Sequence, residues 1–257
     1  MNARLLILMY HGLQRSADDR GCFDRRYSVP PAAFAAQMAC LRAQYGRAFL
    51  PDPGEPLLHG TQARVMVTFD DGDVSQAEVA LPCLERLGLR AVFFVTSGFV
   101  GQQGMVSRRQ LRDLADSGMR IGGHGATHRF LSSLSSRELA RELRDSRDSL
   151  EQITGRRVDW LALPGGRGDA RVFEAAVEAG YRAVFGSQPG DNRESSPAQI
   201  LQRVAITRGL SLAAFEQILS WQGPVVRNLR WRHRLLQLPK RMFGDERYQR
   251  WREALMS

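Results

Sequence analysis

The sequence predicts an α/β fold, and a barrel more than an open sheet, on three observations. Short apolar runs alternate with helical segments through about seven units, which argues for a parallel sheet with crossover helices. The helical segments open on Ser, Asp or Pro and stop on Gly. Polar motifs stand directly after several of the strands, where α/β barrels carry their active sites. An open doubly wound sheet would satisfy the alternation alone. At 257 residues, one large domain with a substantial core is expected.

The elements follow in order. Leu5–Tyr10 reads as a first strand and Pro30–Tyr45 as a helix opened by proline and closed by Gly46. Val65–Phe69 is a strand, Ser75–Leu87 a helix ending at Gly88, and Arg90–Thr96 a strand. Ser107–Ser117 is a helix with Ser107 and Gln110 as a capping box, stopped by Gly118. Met119–Gly122 is a short strand. Ser135–Thr154 is a long helix with Ser135 and Glu138 as a second capping box, ended by Gly155. Val158–Ala162, Asp169–Ala179 and Arg182–Phe185 continue as strand, helix and strand, and Arg203–Ile206 with Ser211–Trp221 completes the pattern. No repeat or low-complexity tract interrupts it.

After Gly223-Pro224 the composition changes. Residues 1–224 form the barrel unit, and residues 225–257 form a basic helical appendage broken by Pro239 and Gly244. The chain carries a net charge of +9, almost entirely from arginine. The appendage alone holds nine basic and three acidic residues, interleaved with Trp231, Phe243, Tyr248 and Trp251. One expectation is peripheral contact with an anionic membrane surface, at about 1 kcal/mol per basic residue. The other is a helix pair docked on the barrel with a solvated basic face. Nucleic acid is the weaker partner class, because basic charge comes without a recognition motif.

The apolar run at the N-terminus is about half the length a membrane helix needs, and no small-residue cleavage site follows it. Cys22, Cys40 and Cys83 are odd in number and in no paired motif. Both features lead to the expectation of a cytoplasmic protein, peripheral to the inner membrane if the tail binds lipid.

The chemistry concentrates in two short stretches. Thr68-Phe69-Asp70-Asp71-Gly72 places two adjacent carboxylates at the end of an apolar strand. His124-Gly125-Ala126-Thr127-His128 places two imidazoles four residues apart, and Gly122, Gly123 and Gly125 point to a tight loop at the first histidine. One carboxylate and two histidines make a three-ligand metal site with room for water, leaving the second carboxylate to act as a base. Two carboxylates held close resist ionising together, and a cation on one of them relieves the repulsion. The pattern therefore points to a metal-dependent hydrolase. The donor set suits Zn²⁺ first, with Co²⁺, Ni²⁺ or Fe²⁺ as alternatives.

These stretches resemble the first two motifs of the polysaccharide deacetylases, carbohydrate esterase family 4. The resemblance extends to Met9-Tyr10-His11, Ala91-Val92-Phe93-Phe94-Val95 and Pro164-Gly165-Gly166-Arg167, and covers roughly residues 5 to 210. It implies a distorted (β/α)7 barrel that hydrolyses N- or O-acetyl groups on sugars with a divalent metal. By motif position, Asp70 would be the general base, and Asp71, His124 and His128 the metal ligands. The oxyanion would be held by the metal and by backbone N–H groups of the loop Pro164, Gly165, Gly166 and Arg167.

The chain departs from the family pattern in two places. Gly125 stands where Ser or Thr usually follows the first histidine. No histidine lies in Arg203–Arg208, where the family normally brings its general acid. His11, at the end of the first strand, is the remaining histidine placed to reach the mouth and is the candidate acid. Arg167 and Arg203 are candidates for orienting Asp70 or for binding an anionic group of the substrate; neither can be the acid. The expected substrate is an acylated sugar, as a lipid-linked or nucleotide-linked glycan precursor. The alternatives are a formamide or small cyclic amide on the same barrel, or a non-catalytic carbohydrate- or membrane-binding barrel.

Overall fold

The computed structural model describes residues 4–14, 25–51, 55–58, 62–193, 200–229 and 231. Six parallel strands form the body of the sheet in chain order: β1 (Arg4–Tyr10), β2 (Ala63–Phe69), β3 (Val92–Val95), β4 (Arg120–Gly123), β5 (Trp160–Ala162) and β6 (Ala183–Phe185). Helices α1 (Pro31–Tyr45), α2 (Leu81–Arg86), α3 (Arg108–Asp116), α4 (Ser136–Thr154), α5 (Ala170–Glu178) and α6 (Leu212–Ser220) follow or join them. Among these, α3 and α4 start on the two capping boxes expected from the sequence. The α4 helix ends on Gly155 in the left-handed conformation at φ 63°, where a Cβ would be strained.

A broken seventh strand brings the sheet nearly to closure. β7 (Asp191–Asn192) runs antiparallel beside β1, β8 (Ile200–Leu201) pairs with β6, and β9 (Val204–Ala205) pairs with β1. Between β8 and β9 the ladder is interrupted at Gln202-Arg203. The Asn192 side chain fills the gap, donating to the carbonyls of Leu5 (3.2 Å) and Gln202 (2.9 Å) and accepting from the Gln202 N–H (2.7 Å). The fold is thus the distorted seven-stranded barrel expected, with its distortion concentrated at this seam.

Alternation along the strands sorts the core into two layers. Leu6, Leu8 and Tyr10 of β1 face outward onto Phe34, Met38 and Leu41 of α1, in one cluster with Leu139, Leu143 and Leu150 of α4. Leu5 and Ile7 face inward, onto Met66, Val92, Phe94, Trp160 and Phe185. Each such side chain, once buried, stabilises the fold by about 1.5–3 kcal/mol. Where the strands begin, Phe49 and Leu50 close the interior from below, and the Phe49 N–H donates to Val65 C=O (2.7 Å).

Two elements differ from the sequence reading. The expected helix Ser75–Leu87 begins as a five-residue π-helical turn, Gln76–Ala80, before α2. The expected last strand, Arg203–Ile206, is interrupted at Arg203, and pairing is confined to Val204–Ala205. Residues 223–229 are helical, and Trp231 is exposed. The rest of the basic appendage, including Pro239 and Gly244, lies outside the described residues, as does Cys22. Among the described residues no helix is long and apolar enough to cross a membrane.

Candidate active site

The inward register of β2 carries Met66, then Thr68, then Asp70 toward the mouth. Asp70 is tied to β1 through its N–H, which donates to Tyr10 C=O (2.9 Å). The chain then turns sharply. Asp71 adopts φ 77°, a left-handed conformation uncommon for a residue with a Cβ, and Gly72 follows at φ 88°. A Cβ at Gly72 would lie 2.9 Å from Val95 Cγ1, so the position accepts only glycine without rearrangement.

β3 and β4 supply the other half. The His124 N–H donates to Val95 C=O (3.0 Å). Its Nδ1 lies 2.9 Å from Ala162 C=O and donates there, which leaves Nε2 as a lone pair aimed at Asp71. His128, at φ 60°, brings its Nε2 to 3.1 Å from Asp71 Oδ1, against 3.3 Å for His124. Glycines 122 and 123 lie in strand β4 and not in the turn. A Cβ on Gly122 would meet the Phe94 ring at 2.5 Å, and one on Gly123 would meet the Tyr181 hydroxyl at 2.5 Å.

Asp71, His124 and His128 each offer one ligand atom, all within 4.8 Å of one another. Asp71 Oδ1 is buried with no hydrogen-bond donor in proper geometry among the described residues, so an acceptor faces two imidazole nitrogens across a gap that a cation fits. Burial pushes the Asp71 carboxyl up, but when His124 and His128 carry protons on Nε2 they outweigh it and hold the group well below the usual range. His124 is pushed down by burial and up, more strongly, by the charges of Asp70 and Asp71.

Asp70, the adjacent carboxylate, is held in a different way. Arg203, fully buried at the seam of the barrel, meets it with both terminal nitrogens at 2.7 Å. The same guanidinium donates to Thr68 Oγ1 (3.2 Å) and, through Nε, to Gly186 C=O (2.6 Å). Burial raises the Asp70 carboxyl and Arg203 overcomes it, so the group stays ionised. Of the two arginine candidates for Asp70, the structure selects Arg203. Arg167 instead lies 4.5 Å over the Phe130 ring.

His11 stands at the end of β1 with its ring stacked on Tyr27, 4.7 Å between centroids. Its Nδ1 is buried and has no partner among the described residues. Burial pulls the imidazole below its ordinary value, against the raising pull of Asp71 and Asp70. The Gln76 side chain, in the π-helical turn, donates to both His11 C=O (3.1 Å) and Asp70 C=O (2.5 Å) and so clamps the two strand ends together.

After β5, Pro164–Gly166 makes one tight turn, with φ 62° at Gly165 and 67° at Gly166. A Cβ on Gly165 would run into Phe130, and one on Gly166 into Ser187. Pro164 has no N–H, and the Gly166 N–H is engaged with Leu163 C=O (2.7 Å). In this loop Pro164 and Gly166 therefore leave no N–H for an oxyanion.

The structure therefore brings Asp70, Asp71, His124, His128 and Arg203 together and sets His11 on the same mouth. Sequence reasoning missed Gln76, Thr68 and Glu142. Glu142 Oε1 accepts from Ala126 N–H (2.8 Å), Thr127 N–H (2.6 Å) and Thr127 Oγ1 (3.0 Å). The signal that would have found it is a glutamate in line with Leu139 and Leu143 on the buried stripe of α4.

Barrel and site define a parallel α/β barrel with a candidate cation cluster and a buried, arginine-held carboxylate at its mouth. Residues 59–184 match the family model described as polysaccharide deacetylase. The chain is 26% identical over 217 residues to YxkH of Bacillus subtilis, a protein named provisionally as a polysaccharide deacetylase; the match spans 83% of this chain and 75% of that one. It is 28% identical over 131 residues to a peptidoglycan-N-acetylglucosamine deacetylase of Bacillus cereus, spanning 51% of this chain and 59% of that one. A solved structure of a polysaccharide deacetylase from Bacillus cereus superposes with a TM-score of 0.75 at 26% identity, covering 84% of this chain and 69% of that chain. Over residues 59–184 the chain matches the polysaccharide deacetylase family, and YxkH and this solved structure carry the same description.

Proposed function

We propose that this chain is a metal-dependent hydrolase that removes an acyl group, N-acetyl first, from a sugar unit of a polysaccharide or glycan precursor. The observation that carries this reading is the pairing at the mouth of two unlike sites: the Asp71, His124 and His128 cluster, and beside it Asp70 held by Arg203. Asp71 Oδ1 and the two Nε2 atoms would hold a divalent ion, Zn²⁺ first. Such an ion supplies Lewis-acid polarisation of a carbonyl and lowers the pKa of a water it holds.

The remaining work falls to the chain's own residues. Asp70 keeps its charge against burial and, fixed by two bonds from Arg203, accepts a proton from the attacking water. A backbone N–H of the Pro164–Arg167 loop would meet developing negative charge on the acyl oxygen. His11 gives a proton to the departing nitrogen. Its lowered pKa makes it a stronger acid once protonated, and the stacked Tyr27 ring holds it in place. The relative named for peptidoglycan supports a sugar amide as substrate.

The test is acetate release by zinc-loaded protein from N-acetylated chito-oligosaccharides and from peptidoglycan glycan, with N-formyl sugars as a control arm. Asp70→Asn is expected to lower turnover by about 10²–10⁴-fold, the range for loss of a positioned base. Turnover of the formyl sugars alone would move the substrate class. Wild type that binds zinc but hydrolyses none of the three would favour a binding barrel.

A further inference from the structure

The loop that carries His128 holds a conformation its own residues do not favour. Gly125 sits at φ 76° and His128 at φ 60°. A left-handed residue other than glycine carries about 1–3 kcal/mol of strain and persists only where the surroundings over-determine it. Here the surroundings come from two sides. From β3's end, Ser97 and Gly98 donate their N–H groups to Gly125 C=O (3.1 Å) and Ala126 C=O (2.9 Å). From α4, Glu142 gathers the next two N–H groups and the Thr127 hydroxyl onto one oxygen. Ser146, one turn on, donates to Gly125 C=O (3.0 Å).

We propose that Glu142 is a positioning residue for the cation cluster: its Oε1 presets the turn that brings His128 Nε2 onto Asp71. The inference rests on the reading that Asp71, His124 and His128 hold a divalent ion. Three features beyond the bonds support it. Glu142 is buried, 8% exposed, and has no cationic partner among the described residues, so its charge is met by the loop's donors alone. A carboxylate oxygen accepts several donors more strongly than a neutral oxygen does. Finally, a Cβ at Gly125 would come within 3.0 Å of Glu142 Oε1. The Ser or Thr that the family pattern carries after its first histidine would press on this carboxylate. The glycine leaves the space that Glu142 occupies, and the loop's anchor comes from α4.

The experiment compares wild type, Glu142→Gln and Glu142→Ala by two readouts other than activity. One is zinc affinity, by competition with a chromogenic chelator. The other is amide hydrogen exchange of Ala126 and Thr127 in metal-free protein. Glu142→Ala is expected to weaken zinc binding by about 10–100-fold, the range for losing a group that orients a metal ligand, and to speed exchange of those two amides. Glu142→Gln should fall between, and exchange of the Asp70 amide should stay unchanged in both. A folded Glu142→Ala protein with wild-type zinc affinity would overturn the proposal. If that variant does not fold, Glu142→Gln with unchanged affinity and exchange overturns it. Wild type that takes up no zinc, cobalt or nickel sinks the metal reading itself, a result distinct from metal binding that ignores Glu142.

Discussion

At the closed end of the barrel, Phe49 and Leu50 cap an interior of Ile7, Met66, Val92, Phe94, Trp160 and Phe185; at the mouth the interior gives way to Thr68, Asp70, Asp71, His124 and Arg203. Both ends use arginine, with opposite logic. At the closed end the guanidinium of Arg64 lies 4.0 Å over Phe49 and that of Arg120 lies 4.1 Å over Trp160. Arg64, Arg90 and Arg120 also donate to the carbonyls of Leu57, Leu50 and Pro51, stapling the segment below the barrel while keeping part of each side chain in water. At the mouth Arg203 is wholly withdrawn from water, and among the described residues only Asp70 balances its charge. The closed end is stabilised by apolar burial that no single polar pair decides. The mouth concentrates charge and backbone strain that depend on complete pairing.

The largest expected effect breaks the mouth. Arg203→Met should destabilise the protein by about 3–5 kcal/mol, because it strands the Asp70 carboxylate in the interior. Asp70→Asn combined with Arg203→Met should recover a good part of that in urea unfolding. A double variant as unstable as the single one would count against the pairing as the cause. Next, Phe49→Ala at the closed end should cost about 3 kcal/mol while leaving zinc affinity at the wild-type value. A change in affinity would show that the two ends are not independent. Arg120→Gln removes one staple and its contact with Trp160, and calorimetry should register a loss of about 1 kcal/mol.

The smallest effect separates the helix that anchors the mouth loop from its neighbour. The α3 and α4 capping boxes share one geometry, but α3 closes with the Gln110 amide and α4 with the Glu138 carboxylate. The Ser135 hydroxyl and N–H, then Arg129, hold Glu138 down at about 2. Since folding lowers this pKa, its contribution is fully present above the ordinary glutamate value of about 4.3. It fades as the pH falls through about 2. Amide exchange at the first turn of α4 should therefore quicken between those limits relative to the first turn of α3. Equal responses would assign the change to general acid expansion.

The alternating units and the two stretches that form the Asp71, His124 and His128 cluster were legible because each is local. Apolar runs of period two, capping boxes and stop glycines act within a few residues, and Asp70-Asp71 and His124-x-x-x-His128 lie directly after their strands. What was not legible depends on the closed fold. The choice between Arg167 and Arg203 turns on a contact spanning 133 residues. The seventh strand failed as a single run because Gln202-Arg203 leaves the ladder, and the Asn192 side chain that replaces it belongs to a strand of only two residues. Glu142 reads in sequence as one more charge on a polar helix; only the docking of α4 against the loop gives it three donors.

The broken strand also sets the order in which the reactive centre can be completed during synthesis. A growing chain delivers Asp70, Asp71, His124 and His128 long before Arg203, which arrives with the segment that joins β6 to β1. Until that last piece docks, the emerging protein carries Asp71, His124 and His128 beside an Asp70 carboxylate that lacks its counter-charge. Pairing of Asp70 and sealing of the barrel are thus one event, since the residue that balances the carboxylate lies in the segment that closes the sheet.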